Sequence, residues 1–318
     1  MEKPVLAVDL GGTKIRSAII SQEGKLVAVD NRATQAYKGF RHVLDRLFDS
    51  IDIVLRKECL QTKEFSGIGV AIAGVLDSKN GILTSSPNLP HWRNVPLKQI
   101  IQDRLGLATF LINDANAAAL GEHRFGAGTG AQDLVYLTVS TGIGGGIIID
   151  GKLYEGSTGS AGELGHMTIN AEGPRCNCGN YGCLEVLASG TAVAREAVER
   201  INRGETSLLK DMKEDASNIR AEDVAKAAKQ GDKLAAEIIA DASYYLGIGL
   251  ANIVNIFNPQ VIIIGGGMSK MGRMLIEPAK KVVKQRAFKL PARAAHIVRA
   301  RLGNDSGIIG AAAHVINQ

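Results

Sequence analysis

Val5-Leu6-Ala7-Val8-Asp9-Leu10-Gly11-Gly12-Thr13-Lys14-Ile15-Arg16-Ser17-Ala18-Ile19-Ile20 is an aliphatic run stopped by two glycines and followed by a second apolar-rich run. Glu23-Gly24 then turns the chain into a third strand-like stretch, Lys25 to Val29, so the opening reads as a β-meander. The same layout returns later. Leu134 to Val139 predicts a strand, Thr141 to Gly146 a glycine turn, Ile147 to Ile149 a second strand and Asp150-Gly151 a tight turn. Even the second turns correspond, Glu23-Gly24-Lys25-Leu26 against Asp150-Gly151-Lys152-Leu153. Residue identity between the halves is low, but the shared order of elements implies a duplicated βββαβα unit.

After each meander the period changes. Phe40, Val43, Leu44, Leu47, Phe48, Ile51, Val54 and Leu55 recur mostly at spacings of three and four, the stripe of an amphipathic helix. Ile68 to Ala73 reads as a buried strand, Pro96 as the start of a short helix, and Thr109 to Ile112 as a strand before an Ala-rich helix after Asp114. In the second half, helices are predicted over Ala192 to Asn202, Ala221 to Lys229 and Asp232 to Phe257, with Asn258-Pro259 stopping the last. Val261 to Ile264 is a strand entering Gly265-Gly266-Gly267, and Ser269 is expected to begin a helix. Asp305-Ser306-Gly307 leads a final Ala-rich helix, while residues 204–220 read as a polar surface loop. The expectation is a two-domain α/β chain, 1–115 with 305–318 forming the smaller domain and 116–304 the larger, with a hinge and cleft near Asp114.

Composition narrows the classes. The 318 residues are 45% hydrophobic and 22% charged, ample material for two cores. Glycine numbers 37, of which seventeen lie between Gly121 and Gly190. No Gly-X-Y period and only eight prolines accompany them, which excludes collagen and low-complexity disorder. The net charge of +5 is too mild to imply a nucleic-acid binder. A basic run from Lys280 to Arg301 contains a single aromatic, Phe288, so it is read as a solvated face beside an anionic-ligand cleft. Apolar runs are short or broken and the first residues lack a signal-peptide pattern; no membrane partner and a cytoplasmic location are expected. Cys176, Cys178 and Cys183 crowd into eight residues, and in a reducing compartment such a cluster reads as metal-binding before disulfide, with inert thiols as the alternative.

Three glycine turns follow apolar strands: Asp9 to Lys14, Ser140 to Gly146, and Gly265 to Ser269. Backbone N–H groups bared by missing side chains cradle phosphate oxygens, and threonine hydroxyls add donors. The P-loop pattern is absent, since Gly24-Lys25 and Gly151-Lys152 are each followed by Leu. The dinucleotide pattern fails as well, with Lys270 and Ile147 at the third glycine positions. Three such turns in a duplicated framework favour a phosphate site over three unrelated hairpins.

Asp9-Leu10-Gly11-Gly12-Thr13 resembles the first phosphate loop of the actin, hexokinase and heat-shock-protein ATPase superfamily. Glu163-Leu164-Gly165-His166, followed by Cys176-Asn177-Cys178-Gly179-Asn180-Tyr181-Gly182-Cys183-Leu184-Glu185, resembles the sugar-and-zinc signature of the ROK family, closest to its bacterial ATP-dependent glucokinases. The likeness covers the chain from Asp9 to Asp305-Ser306-Gly307. It implies a ribonuclease-H-like, actin/hexokinase-type fold and transfer of the γ-phosphate of ATP to the 6-hydroxyl of a hexose, glucose first. It implies that Asp114 is the general base, although an Asp between a strand and an Ala-rich helix is also a good N-cap. Asn88, Asn113, Asp114, Glu163, His166 and Glu185 would hold the sugar; a turn role for Asn88, and surface charge for the two glutamates, are the plainer readings. Asp9, Gly11, Gly12, Thr13, Lys14, Thr141, Gly142, Gly265, Gly266 and Gly267 would meet ATP and its Mg²⁺. His166, Cys176, Cys178 and Cys183 would close a tetrahedral structural Zn²⁺ site. An N-acetylhexosamine kinase is the alternative activity. ROK repressors carry an N-terminal helix-turn-helix domain, and with Asp9 so early neither DNA binding nor any nucleic-acid partner is expected. A homo-oligomer, dimer or tetramer, completes the expectations.

Overall fold

The computed structural model describes residues 2–212 and 215–318. Strands β1 (Val5–Leu10), β2 (Lys14–Ile20) and β3 (Leu26–Ala33) form the first meander, with Leu10 opposite Ile15 across the glycine turn. Helix α1 (Phe40–Lys57) follows and buries Val43, Leu47, Ile51 and Val54, the apolar stripe of its sequence. The chain returns through β4 (Ile68–Ile72), parallel to β1 and buried at every residue. Three short strands, β5 (Val75–Asp77), β6 (Ile82–Ser85) and β7 (Arg93–Val95), then make a separate antiparallel sheet. Strands of three or four residues are too short to show a period, and this sheet was not anticipated. Helix α2 (Leu97–Leu105), strand β8 (Thr109–Asn113) and helix α3 (Asp114–Phe125) complete the first half.

The second half opens with β9 (Leu134–Val139), β10 (Ile143–Ile149) and β11 (Lys152–Leu153). Helices α4 (Leu184–Ala188), α5 (Gly190–Asn202), α6 (Leu209–Met212), α7 (Ala221–Lys229) and α8 (Lys233–Phe257) lead to β12 (Val261–Gly265). Then come α9 (Arg273–Arg286), α10 (Lys289–Ala294), β13 (His296–Arg299) and α11 (Ser306–Ile316). The sheet orders are β3-β2-β1-β4-β8 and β11-β10-β9-β12-β13. Both run third, second, first, fourth, fifth, so the duplicated layout is present in the strand order itself.

Two compact units divide the chain. Unit 1 comprises Met1–Gln132, Gly146–Gly162 and Ala300–Gln318; unit 2 comprises Asp133–Gly145 and Glu163–Arg299. Residues 116–132, 146–162 and 300–304, placed in the larger domain on sequence grounds, belong here with unit 1.

Three local expectations need correcting. The glycine turn at 141–146 is shorter than expected, because β10 begins at Ile143 and takes in Gly144, Gly145 and Gly146. Gly146 lies under α3: a Cβ there would sit 2.6 Å from the Ala119 Cβ. Residues 204–220 are not a simple loop; α6 and a 3₁₀ turn at Ala216–Asn218 interrupt them, and Leu209 is fully buried. After Gly267 the chain makes a 3₁₀ turn to Met271, and α9 starts only at Arg273. Pro278 inside α9 lacks the N–H that would bond the Met274 carbonyl. Ser243 of α8 compensates, its Oγ donating to Leu275 O at 2.9 Å with Met274 O at 3.3 Å.

Helix α8 is long and apolar enough to cross a membrane by length and composition alone. Its apolar side chains, Leu246 and Leu250 among them, are instead buried within unit 2, where it is the core helix.

In unit 1, α11 is fastened by a residue outside every motif. Glu122 of α3 is fully buried. One of its oxygens accepts from Leu302 N and Ser306 Oγ, both at 2.8 Å; the other accepts from Ala127 N at 2.8 Å and Arg301 N at 3.0 Å. Removing it strands three backbone donors and a hydroxyl, each costing about 1–3 kcal/mol when left unpaired. Glu122→Ala should therefore lower unfolding free energy by at least ~3 kcal/mol, and Glu122→Gln by less, seen as a lower urea midpoint at unchanged slope.

Candidate active site

In unit 1 the first glycine turn is a closed loop: Gly11 N donates to Lys14 O at 2.9 Å. The carbonyl of Lys14, rather than its exposed side chain, makes that closure. Asn88 crosses directly over Gly12; a Cβ on Gly12 would lie 2.4 Å from the Asn88 carbonyl oxygen, so only glycine fits. The Asn88 side chain is on an exposed residue, as expected of either a turn or a ligand contact. Thr13 is exposed at the tip.

Asp9 stands opposite Arg16 across the β1–β2 pair. Its carboxylate faces the first turn of α11, where a Cβ on Gly307 would lie 3.5 Å from Oδ2. Among the described residues it accepts no hydrogen bond. Burial pushes its pKa up to about 6, the Asp114 charge pushes in the same direction, and Arg16 partly opposes both. Arg16 is itself engaged by Asp305, by the Asn304 carbonyl and, at 2.8 Å, by Asn31.

Asp114 begins α3, yet the N-cap is the residue before it. Asn113 Oδ1 accepts from Ala115 N at 2.9 Å and Asn116 N at 3.3 Å, while its Nδ2 donates to Gly74 O at 3.4 Å. Asp114 Oδ1 also accepts from Ala115 N, at 3.0 Å. The capping role weighed for Asp114 thus falls to Asn113, whose amide is largely spent on it.

In unit 2 the peptide of Ile143 is gripped from both sides. Its N–H donates to Glu185 Oε2 at 2.8 Å. Its carbonyl is approached so closely by Gly165 that a Cβ there would sit 1.9 Å away. The two signature segments, Glu163 to His166 and Cys176 to Glu185, therefore meet on the second glycine turn, and Gly142 lies against Glu185.

The cysteine loop closes on a cluster. His166 Nδ1 and the three thiol sulfurs all lie within 4.8 Å of one another. Cys178 Sγ is 3.7 Å from Cys183 Sγ, and Cys176 Sγ is 3.8 Å from His166 Nδ1. Four ligands on a tetrahedron with metal–sulfur bonds of 2.3 Å would be separated by about 3.8 Å, so the donor set fits a metal ion. Burial pushes the Cys183 thiol up to about 12, a cost that a bound cation would remove by holding the thiolate. Gly182, at φ +60°, approaches Asn170 O too closely for any side chain. The imidazole works on two sides, for Nε2 lies 3.9 Å from Glu163 Oε2. Glu163 is exposed.

A pocket of about 610 Å³ lies in unit 2, bounded by Ser140, Thr141, Gly190, Thr191, Ile219 to Glu222, and Gly267, Met268, Lys270 and Met271. Gly190 N donates to Ser140 O at 2.7 Å, tying the start of α5 to the glycine turn. Of the three late glycines only Gly267 lines the pocket; Gly265 packs on Tyr136 and Gly266 on Val139. The walls are apolar at Ile219, Met268 and Met271, and cationic at Arg220, Lys226, Lys229 and Lys270. That combination suits a flat base with an anionic tail. None of these wall residues was singled out from sequence, although Glu222, Ala225, Lys226 and Lys229 recur at helical spacing along one face of α7.

The duplicated sheets and their glycine turns define a two-domain α/β protein of the actin/hexokinase type. Over residues 5–318 the chain matches the ROK family, and it belongs to that family. It is 38% identical to a glucokinase of Thermotoga maritima over 308 residues, 97% of this chain and 96% of the relative. A ROK family glucokinase from Streptomyces griseus, solved with glucose and AMPPNP, is 34% identical with a TM-score of 0.83, covering 97% and 98% of the two chains. A xylose repressor of Caldicellulosiruptor bescii is 34% identical, covering 98% of this chain but 78% of the repressor.

The raised pKa of Asp9 carries a stability signature. The native state holds this proton more tightly than the unfolded chain, so stability present below pH about 4 is lost as pH rises through about 6. Asp9→Asn should therefore raise the unfolding free energy of nucleotide-free, magnesium-free protein at pH 7.5 by on the order of 3 kcal/mol, seen as a higher melting temperature. The gain should vanish at pH 4 when both proteins are melted in parallel.

Proposed function

We propose that the protein transfers the γ-phosphoryl group of ATP to the 6-hydroxyl of a hexose, with glucose the preferred acceptor. The observation that carries this reading is the pair of Asp9, beside the first glycine turn near the end of β1, and Asp114, at the start of α3, both in unit 1, with the Asp114 charge raising the pKa of Asp9. Two carboxylates close enough to raise one another's cost of ionisation are equipped for different tasks. Asp114 takes the proton from the attacking hydroxyl, which needs a carboxylate within hydrogen-bond reach of the sugar. Asp9, half-buried and short of donors, is suited to a magnesium ion and its water shell. Magnesium, when bound, neutralises charge on the phosphates. Thr13 and Gly12 in unit 1, and Thr141 in unit 2, are assigned to the phosphates, and the 610 Å³ pocket to the nucleoside. Asn88, Asn113, Glu163, His166 and Glu185 are assigned to sugar hydroxyls.

The AMPPNP bound to the Streptomyces griseus relative supports ATP as donor, and its glucose supports the acceptor. The cysteine cluster is assigned a structural zinc that holds His166, and through it Glu163, in place. All four ligand positions are filled by protein, so it leaves no open place to activate water. A cytoplasmic setting, where thiols stay reduced, fits this cluster.

The acceptor is tested with glucose, mannose, fructose, N-acetylglucosamine and N-acetylmannosamine, following ADP release. Glucose should give the highest kcat/KM; turnover confined to the amino sugars would move the assignment to them. No turnover together with xylose or glucose binding would favour the sugar-sensing role of the repressor relative. Asp114→Asn should lower kcat by about 10²–10⁴-fold while leaving sugar affinity within a few-fold, and retained turnover would remove it as the base.

The metal is tested separately. Elemental analysis should find one zinc per chain, and Cys178→Ala should lose it together with most sugar affinity. Full zinc content in that variant would refute the closed four-ligand site.

A further inference from the structure

Thr34 belongs to no motif, yet it is completely buried and directed at the first glycine turn. It follows the last residue of β3 and makes two donations into the turn. Its backbone N–H goes to Thr13 O at 2.8 Å, and its Oγ1 to Gly11 O at 2.6 Å. The two carbonyls so held lie on either side of Gly12.

The hydroxyl matters because of what precedes it in the chain. The peptide between Gly11 and Gly12 joins two residues without side chains, and glycine pairs permit conformations on both sides of φ zero at little cost. That peptide is therefore the one unit of the turn that can rotate as a plane. Its C=O and N–H point in opposite directions, because the group is planar and trans. With the oxygen held by Thr34, the Gly12 N–H faces away from it, and no backbone acceptor satisfies it among the described residues. In the flipped arrangement the turn would offer a carbonyl oxygen where the N–H now points, and a phosphate would meet a partial negative charge.

Unit 2 treats its own glycine turn alike. Thr191, on an unrelated element, donates both N–H and Oγ1 to Thr141 O, at 3.3 and 2.8 Å. In each unit one threonine gives both its N–H and its hydroxyl to turn carbonyls, two carbonyls in unit 1 and a single one in unit 2, and leaves the turn's amides to other partners.

We propose that Thr34 is a positioning residue for phosphoryl transfer, fixing the Gly11–Gly12 peptide with its N–H toward the phosphates. The proposal rests on the reading that this turn meets the phosphates of ATP, and it adds the residue that orients it.

Thr34→Val keeps the backbone donor and the side-chain shape but removes the hydroxyl; Thr34→Ser keeps both donors. Misplacement of a reacting group by an ångström costs up to about a hundredfold in rate, so kcat of Thr34→Val should fall by ~10–100-fold. KM for the hexose should stay within about twofold, and Thr34→Ser should recover kcat to within about threefold. Calorimetry supplies a readout independent of turnover: Thr34→Val should weaken Mg²⁺–AMPPNP by at least about fivefold while AMP, bound by the unit 2 pocket, is unaffected. Should Thr34→Val not fold, Thr34→Ala is measured in its place with the same expectations. Wild-type kcat in the valine variant, with only a lower melting temperature, would overturn the proposal. An equal loss of AMP and AMPPNP affinity would overturn it too. If the wild type phosphorylates no hexose, the kinase reading fails on its own, and the AMPPNP-against-AMP comparison still decides for or against Thr34.

Discussion

The grip on Ile143 is the constraint on which unit 2 depends. A single peptide group receives Glu185 on its N–H and Gly165 against its carbonyl. Those two residues are twenty positions apart in sequence, and the segments that carry them also supply the cysteine–histidine cluster. A metal ion holding His166 to Cys176, Cys178 and Cys183 would thereby hold the strand-to-strand turn as well. The geometries of the two signature segments and of the second glycine turn are then not independent variables. A closed metal site there would act on the turn through the segments it holds rather than by direct contact.

Unit 1 has no such clamp and relies on close helix packing. A Cβ on Gly310 of α11 would fall 1.6 Å from the Ala117 carbonyl of α3, so the two helices touch through backbone. Glu122 fastens the incoming loop at the same junction. The result places the N-terminal turn of α11 over Asp9, where exposed backbone N–H groups favour a negative charge. Arg16, reached across the strand pair and anchored by Asp305, adds to that effect.

How much of this was legible depends on the kind of signal. Strand runs such as Leu134–Val139 and the stripes of α1 and α7 show their period directly, and the repeat of layout revealed the duplication. The cysteine spacing and the aspartate before Gly11-Gly12 were legible because few other patterns use them. Gly146 was misread, since a glycine that admits a neighbouring helix looks in sequence like one that makes a turn. The sheet β5-β6-β7 was missed for want of length. Thr34 and Glu122 left no trace at all: a lone threonine after a strand and a glutamate in an Ala-rich helix are ordinary until their acceptors and donors, up to 184 positions away, are in place.

Two carboxylates of unit 1 differ in how far the fold satisfies them. Glu122 accepts from four donors, so both of its oxygens are satisfied and it holds the loop. Asp9 is half-buried with no hydrogen bond to its carboxylate from the described residues, under the influence of a second acid, and its pKa rises to about 6. For stability alone a neutral residue would serve better than Asp9, because Arg16 and the start of α11 offset only part of the cost of its ionisation. A cation bound beside it would supply the missing compensation. The same carboxylate would then cost stability in the empty protein and contribute affinity in the loaded one.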